Sequence, residues 1–90
     1  MAFLELDVTP TGVVLRRIDQ RGTQIVERFN THETGMRRAV ITAQREMERD
    51  ETLNEVRTNV RKPELAERLK HCVDTEASSG GKLRPLATAL

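Results

Sequence analysis

The sequence predicts an α+β fold: a three-stranded antiparallel β-meander, then one long and two shorter α-helices, then a flexible C-terminal tail. Three observations predict it. Two turn signals ten residues apart, Thr9-Pro10-Thr11-Gly12 and Asp19-Gln20-Arg21-Gly22, divide three short runs rich in β-branched residues. Near Asn30 the hydrophobic period changes from 2 to 3.6. Beyond it, apolar residues recur at helical spacing almost to Ser78. A single α+β domain is therefore expected over 1–78, with 79–90 as a flexible linker and tail.

The first strand is expected over Phe3 to Val8, where Leu4, Leu6 and Val8 alternate with Glu5 and Asp7. Pro10 at the second turn position and Gly12 at the fourth suit a type I turn. A second strand follows from Val13 to about Asp19, and a third from Thr23 to Phe29 after a turn in which Gly22 supplies a positive φ. Register decides which face is buried. With Val8 opposite Val13 and Arg17 opposite Ile25, one face carries Leu4, Leu6, Val8, Val13, Leu15, Ile25 and Phe29, with Arg17 and Glu27 as a diagonal pair at its edge. The other face carries Val14, Ile18 and Val26 among Arg16, Arg28, Glu5 and Asp7.

The long helix is expected from about Thr31, capped by Asn30 with Glu33 closing a capping box. Met36, Val40, Ala43 and Met47 then form one stripe, opposite Arg37, Arg38, Arg45, Glu48 and Arg49. Asp50 and Asn54 break the stripe, and Thr52 with Glu55 reads as a second capping box. A short helix with Leu53, Val56 and Val60 inward is expected there. Pro63 suits the first turn of a last helix, with Glu64 at the positive end of its dipole and Leu65, Leu69, Cys72 and Val73 buried. Ser78-Ser79-Gly80-Gly81 ends that helix as a linker. The segment beyond it, 82–90, is too short to fold alone. It is an unstructured end, a segment that docks onto the sheet or a partner, or a remnant of cloning.

Composition narrows the chemistry. Ninety residues bury only about 60–65% of their unfolded surface, so stability is modest and a dimer hides more apolar area. Phe3 and Phe29 are the only aromatics, which leaves the core to Leu, Val, Ile, Met and Ala. No apolar run is long enough for a membrane span, and Met1-Ala2-Phe3-Leu4-Glu5 does not read as a signal peptide. The lone Cys72 suits a reducing, cytoplasmic setting. Charge is balanced along the chain, with four Arg against four acids in residues 1–31 and four bases against four acids in 63–90. Nucleic-acid binders usually gather positive charge on one face. Twelve of the fifteen bases are Arg, a bias that a GC-rich genome also produces.

No motif identifies a reaction or a ligand. Cys72 and His71 are adjacent on a helix and point about 100° apart, so Cys72 reads as a buried structural thiol rather than a nucleophile. His32, His71 and Cys72 have no metal-ligand spacing. Glu46, Glu48, Asp50 and Glu51 alternate with Arg45 and Arg49 as a solvated, ion-paired face does. The glycines cradle no phosphate. The expectation is therefore a non-catalytic protein with no cofactor, metal or small-molecule substrate.

The mixed apolar and Arg face has the composition of an interface. Protein binding through Val14, Arg16, Ile18, Val26 and Arg28 is the expected function: the chain is expected to form a homodimer and to act as a regulator or inhibitor of a larger intracellular complex. In size and simplicity the chain is similar to phage-encoded inhibitors, anti-CRISPR proteins among them. The alternative is a DNA- or RNA-binding regulator using Arg16, Arg21, Arg28, Arg37 and Arg38.

Overall fold

Seven elements follow one another in the computed structural model, which describes residues 2–78 and 86–89. They are β1 (Ala2–Thr9), β2 (Gly12–Asp19), β3 (Gly22–Phe29), α1 (Glu33–Arg49), β4 (Leu53–Val60), α2 (Pro63–Ser78) and β5 (Leu86–Ala89). The strands form one five-stranded sheet in the order β3-β2-β1-β4-β5. β1–β2 and β2–β3 are antiparallel, whereas β1–β4 and β4–β5 are parallel. The fold is thus α+β with a mixed sheet and two helices, not a meander with three. Of the expected linker and tail, 79–85 and 90 lie outside the described residues, and Leu86–Ala89 pairs along β4.

The meander follows from its turns and alternation. Val8 pairs with Val13 and Leu6 with Leu15, as the alternation requires, and their side chains are 1% exposed or less. Gly22 adopts φ +129°, a conformation only glycine takes freely, and so closes the β2–β3 turn. The β2–β3 register differs from expectation. Arg17 pairs with Gln24, not Ile25, and the register shifts between Leu15 and Arg16, whose partners are Glu27 and Ile25. Val26 is the extra residue of a β-bulge, and a bulge sends successive side chains to the same side. Ile25 therefore leaves the core and is 46% exposed. Val26 packs against the core with Phe29.

α1 begins at Glu33 with His32 as its N-cap, which makes no side-chain cap hydrogen bond. Asn30 acts two residues earlier: its Oδ1 accepts the His32 N–H at 3.0 Å, a turn that aims the chain into the helix. The expected Asn30–Glu33 capping box is not formed. Gly35 is buried here, where an added Cβ would overlap the Asn30 side chain and carbonyl. The stripe Met36, Ala39, Val40, Ala43 and Met47 is buried as its spacing predicts. α1 ends at Asp50, whose Oδ1 accepts both the Thr52 N–H at 2.9 Å and the Thr52 hydroxyl at 2.6 Å.

That turn starts a strand where the spacing of Leu53, Val56 and Val60 suggested a helix. Val56, Thr58 and Val60 alternate inward along β4, with Glu55, Arg57 and Asn59 outward. Parallel pairing with β1 needs a crossover, and α1 supplies it. α2 then lies beside α1, held by Arg37 Nε to Glu76 Oε1 at 3.1 Å and by the Arg68 guanidinium donating to the Thr31 carbonyl at 2.6 Å. Leu65, Leu69 and Cys72 are buried and Val73 half-buried. One core results, drawn from α1, α2 and the helix-facing side of the sheet. No helix of the described residues is long and apolar enough to cross a membrane.

Candidate functional site

Both helices lie on the sheet face that carries Leu4, Leu6, Val8, Val13, Leu15, Val56 and Val60. Among the described residues no element covers the opposite face. Its side chains fall in rows across the strands. One row runs Ile25, Arg16, Glu5, Arg57; a second runs Arg28, Val14, Asp7, Asn59; Ile18 and Phe3 are paired in a third. The face therefore has an aliphatic side on β2 and β3, formed by Val14, Ile18 and Ile25, and an ionic side on β1 and β4.

The ionic side is paired internally, with Arg16 and Arg57 set against Glu5, Asp7 and Glu55. Arg16 Nη1 donates to Glu5 Oε1 at 3.2 Å and to Asp7 Oδ2 at 3.3 Å. Its side chain is 26% exposed and that of Asp7 17%, so this network is shielded from water but not sealed. Asp7 Oδ1 is buried and accepts no hydrogen bond. On β4 the Arg57 guanidinium donates twice to Glu55 Oε1, at 3.0 and 2.8 Å, and its Cζ lies 3.9 Å from the centre of the Phe3 ring. Such stacking over an aromatic face stabilises both partners. On the aliphatic side, Arg28 is exposed and makes no ion pair among the described residues.

The expected binding residues are thus brought together in part. Val14, Arg16, Ile18 and Arg28 share the uncovered face. Val26 does not, because the bulge turns it to the helix side, and Ile25 stands in its place. The signal that would have found Ile25 is absent from strand alternation, since a one-residue bulge leaves no mark in an apolar pair such as Ile25-Val26. The residues of the nucleic-acid alternative are dispersed. Arg16 and Arg28 lie on the uncovered face, Arg21 in the β2–β3 turn, and Arg37 and Arg38 on α1. Arg16 is held by two carboxylates and Arg37 by Glu76.

Elsewhere, Cys72 is 2% exposed and its thiol contacts the Glu33 carbonyl at 3.9 Å. Burial, and then the nearby Glu33 charge, push its pKa up, which opposes thiolate formation. Among the described residues no three His, Cys, Asp or Glu side chains come together in a metal-holding group.

No protein-family model and no curated protein matches the sequence. Solved structures do match. One is T. thermophilus RuvC in complex with a Holliday junction substrate, at 14% identity with a TM-score of 0.58. The match covers 99% of this chain but 64% of that one, so this chain spans less than two thirds of the neighbour's length. A likeness at that identity is one of fold.

Proposed function

We propose that this chain is a non-catalytic protein-binding module whose uncovered sheet face is the contact surface, acting as a regulator or inhibitor of a larger complex. One observation carries the reading: a sheet with helices on one side only presents Ile25, Val14 and Ile18 on the other, with Ile25 46% exposed. Aliphatic side chains grouped beside a free Arg are what interface centres use, since the apolar groups release water and the guanidinium fixes orientation. Arg28 is that free cation. Arg16 ties down Glu5 and Asp7, so the aliphatic side is where an apolar partner docks.

The fold neighbour was seen with DNA, which raises the nucleic-acid alternative again. Its arginines are split between the two sides of the molecule and two of them are already paired. Phosphate contact requires a concentrated positive face, so the protein-binding reading is the better supported.

The test is affinity capture from lysate of the source organism with and without nuclease, at low and high salt, using the parent chain, Ile25→Asp and Arg21→Ala. A discrete protein that resists nuclease and salt, is lost with Ile25→Asp and is kept with Arg21→Ala is the expected result. Recovery dominated by nucleic acid, lost as salt rises and with a salt slope lowered by about one unit in Arg21→Ala, overturns it.

A further inference from the structure

β3 is an outer strand of the sheet, and no strand pairs with its outer side among the described residues. Beside that edge, on the helix side, lies a groove of about 450 Å³ between β3 and α1, lined by Val26, Ile41, Glu27, Arg38, Arg45 and Arg49 with their neighbours. Arg38, Arg45 and Arg49 recur at i, i+7 and i+11, which places them on one stripe of α1. Arg49 has Glu46 at 3.8 Å. Arg38, Arg45 and Glu27 make no ion pair among the described residues, although both signs line the same groove.

An exposed strand edge is a template for another strand. A groove that holds unpaired charges of both signs is complementary to itself, which is the condition a two-fold contact imposes. Size agrees. Eight residues of strand span about 26 Å, and the thinnest dimension of the molecule is 20 Å. The β3 flank is therefore about 500 Å² per protomer, or about 1,000 Å² for two, the lower bound for a specific interface.

We infer that a second copy of this chain docks here: β3 lies antiparallel to β3 of the partner subunit about a two-fold axis, and the arginine stripe of each α1 faces Glu27 of the partner subunit. Val26 and Ile41 form the apolar floor of the contact. The bulge at Val26 limits backbone pairing to part of the strand, so the groove charges decide the register. This contact lies on the opposite side of β3 from Arg28 and leaves the uncovered sheet face free, so it stands or falls separately from the function proposed above.

Sedimentation velocity on the full chain, from low micromolar to several hundred micromolar and at two salt concentrations, tests it. The expected result is a dimer that weakens as salt screens the groove. Glu27→Arg leaves Glu46, paired with Arg49, as the groove's one acid, and Arg38→Glu with Arg45→Glu makes the groove net acidic. Each alone should raise the dissociation constant about tenfold or more, with circular dichroism confirming that both variants fold. Mixing the two should restore a one-to-one heterodimer, because each then meets its opposite charge. A parent chain that stays monomeric throughout overturns the proposal, as the bulge and charges then merely blunt the edge. Variants that dimerise as the parent does, or a mixture that stays monomeric, overturn it equally.

Discussion

Asp50 sits where α1 ends and β4 begins, and three donors converge on its carboxylate. The Thr52 hydroxyl and N–H bond Oδ1, and Arg17 Nη1 reaches Oδ2 at 2.6 Å from β2. The Thr52 hydroxyl, its backbone N–H and then Arg17 hold the Asp50 pKa down to about 2. An unfolded Asp titrates at about 3.9, so the folded state binds this proton less readily than the unfolded one. The stabilisation is complete above about pH 4 and is lost as pH falls towards 2. Urea midpoints measured at intervals from pH 6 to about pH 2 should therefore fall more steeply for the parent than for Asp50→Asn, which is the less stable of the two at neutral pH. Parallel curves would show that the turn does not depend on this charge. The role of Asp50 was only half legible in the sequence. Its loss of the helical seam was visible in the sequence, but Thr52 looked like a cap for a new helix, whereas both of its donors serve Asp50. Asn30 is ambiguous in the same way. An Asx turn and a helix cap draw on the same residue types, and backbone φ and ψ decide between them.

At the scale of elements, the bulge in β3 separates two adjacent aliphatic residues that alternation alone assigns the wrong way round. Val26 packs against the core, so Val26→Asp sets a charge against apolar neighbours and should destabilise by about 1–3 kcal/mol. Ile25→Asp places the same group in water and should change stability by no more than about 0.5 kcal/mol. Thermal unfolding of the two variants checks this, and equal losses would put both side chains on one face. The strands of the meander were legible almost to the residue because turn chemistry and period 2 agree locally. β4 was not. Leu53, Val56 and Val60 fit a helical stripe, and the polar Thr58 hid the alternation Val56, Thr58, Val60. Thr58 is 2% exposed. The β-branched identity of all three residues was the signal available. The candidate face was legible through Val14, Arg16, Ile18 and Arg28, and lost at Val26, where an inserted residue shifts everything beyond it.

For the whole molecule, the sheet order imposes a gradient of stability. β1 is central, pairing with β2 on one side and β4 on the other, and its Leu4, Leu6 and Val8 are sealed against α1 and α2. The β1–β4 pairing was also the feature furthest from view in the sequence, because it joins segments separated by a whole crossover helix rather than by a turn. Breaking β1 out of the sheet removes both neighbours and the core at once, so its amides exchange only through global opening. For ninety residues that opening has a free energy of about 5–13 kcal/mol. β3 has one neighbour and is exposed along most of its length, so its amides facing β2 open by local fraying at several kcal/mol less. Native-state hydrogen exchange at low protein concentration should therefore rank Leu4–Val8 slowest, β2 and β4 next, and β3 fastest of the four. Raising the concentration should slow β3, whose edge gains a partner in the edge-to-edge dimer, and should slow β1 as well, because global opening then requires the dimer to dissociate. Uniform protection across the four strands at low concentration would mean that the sheet opens as one unit, and that burial in the centre does not set the order.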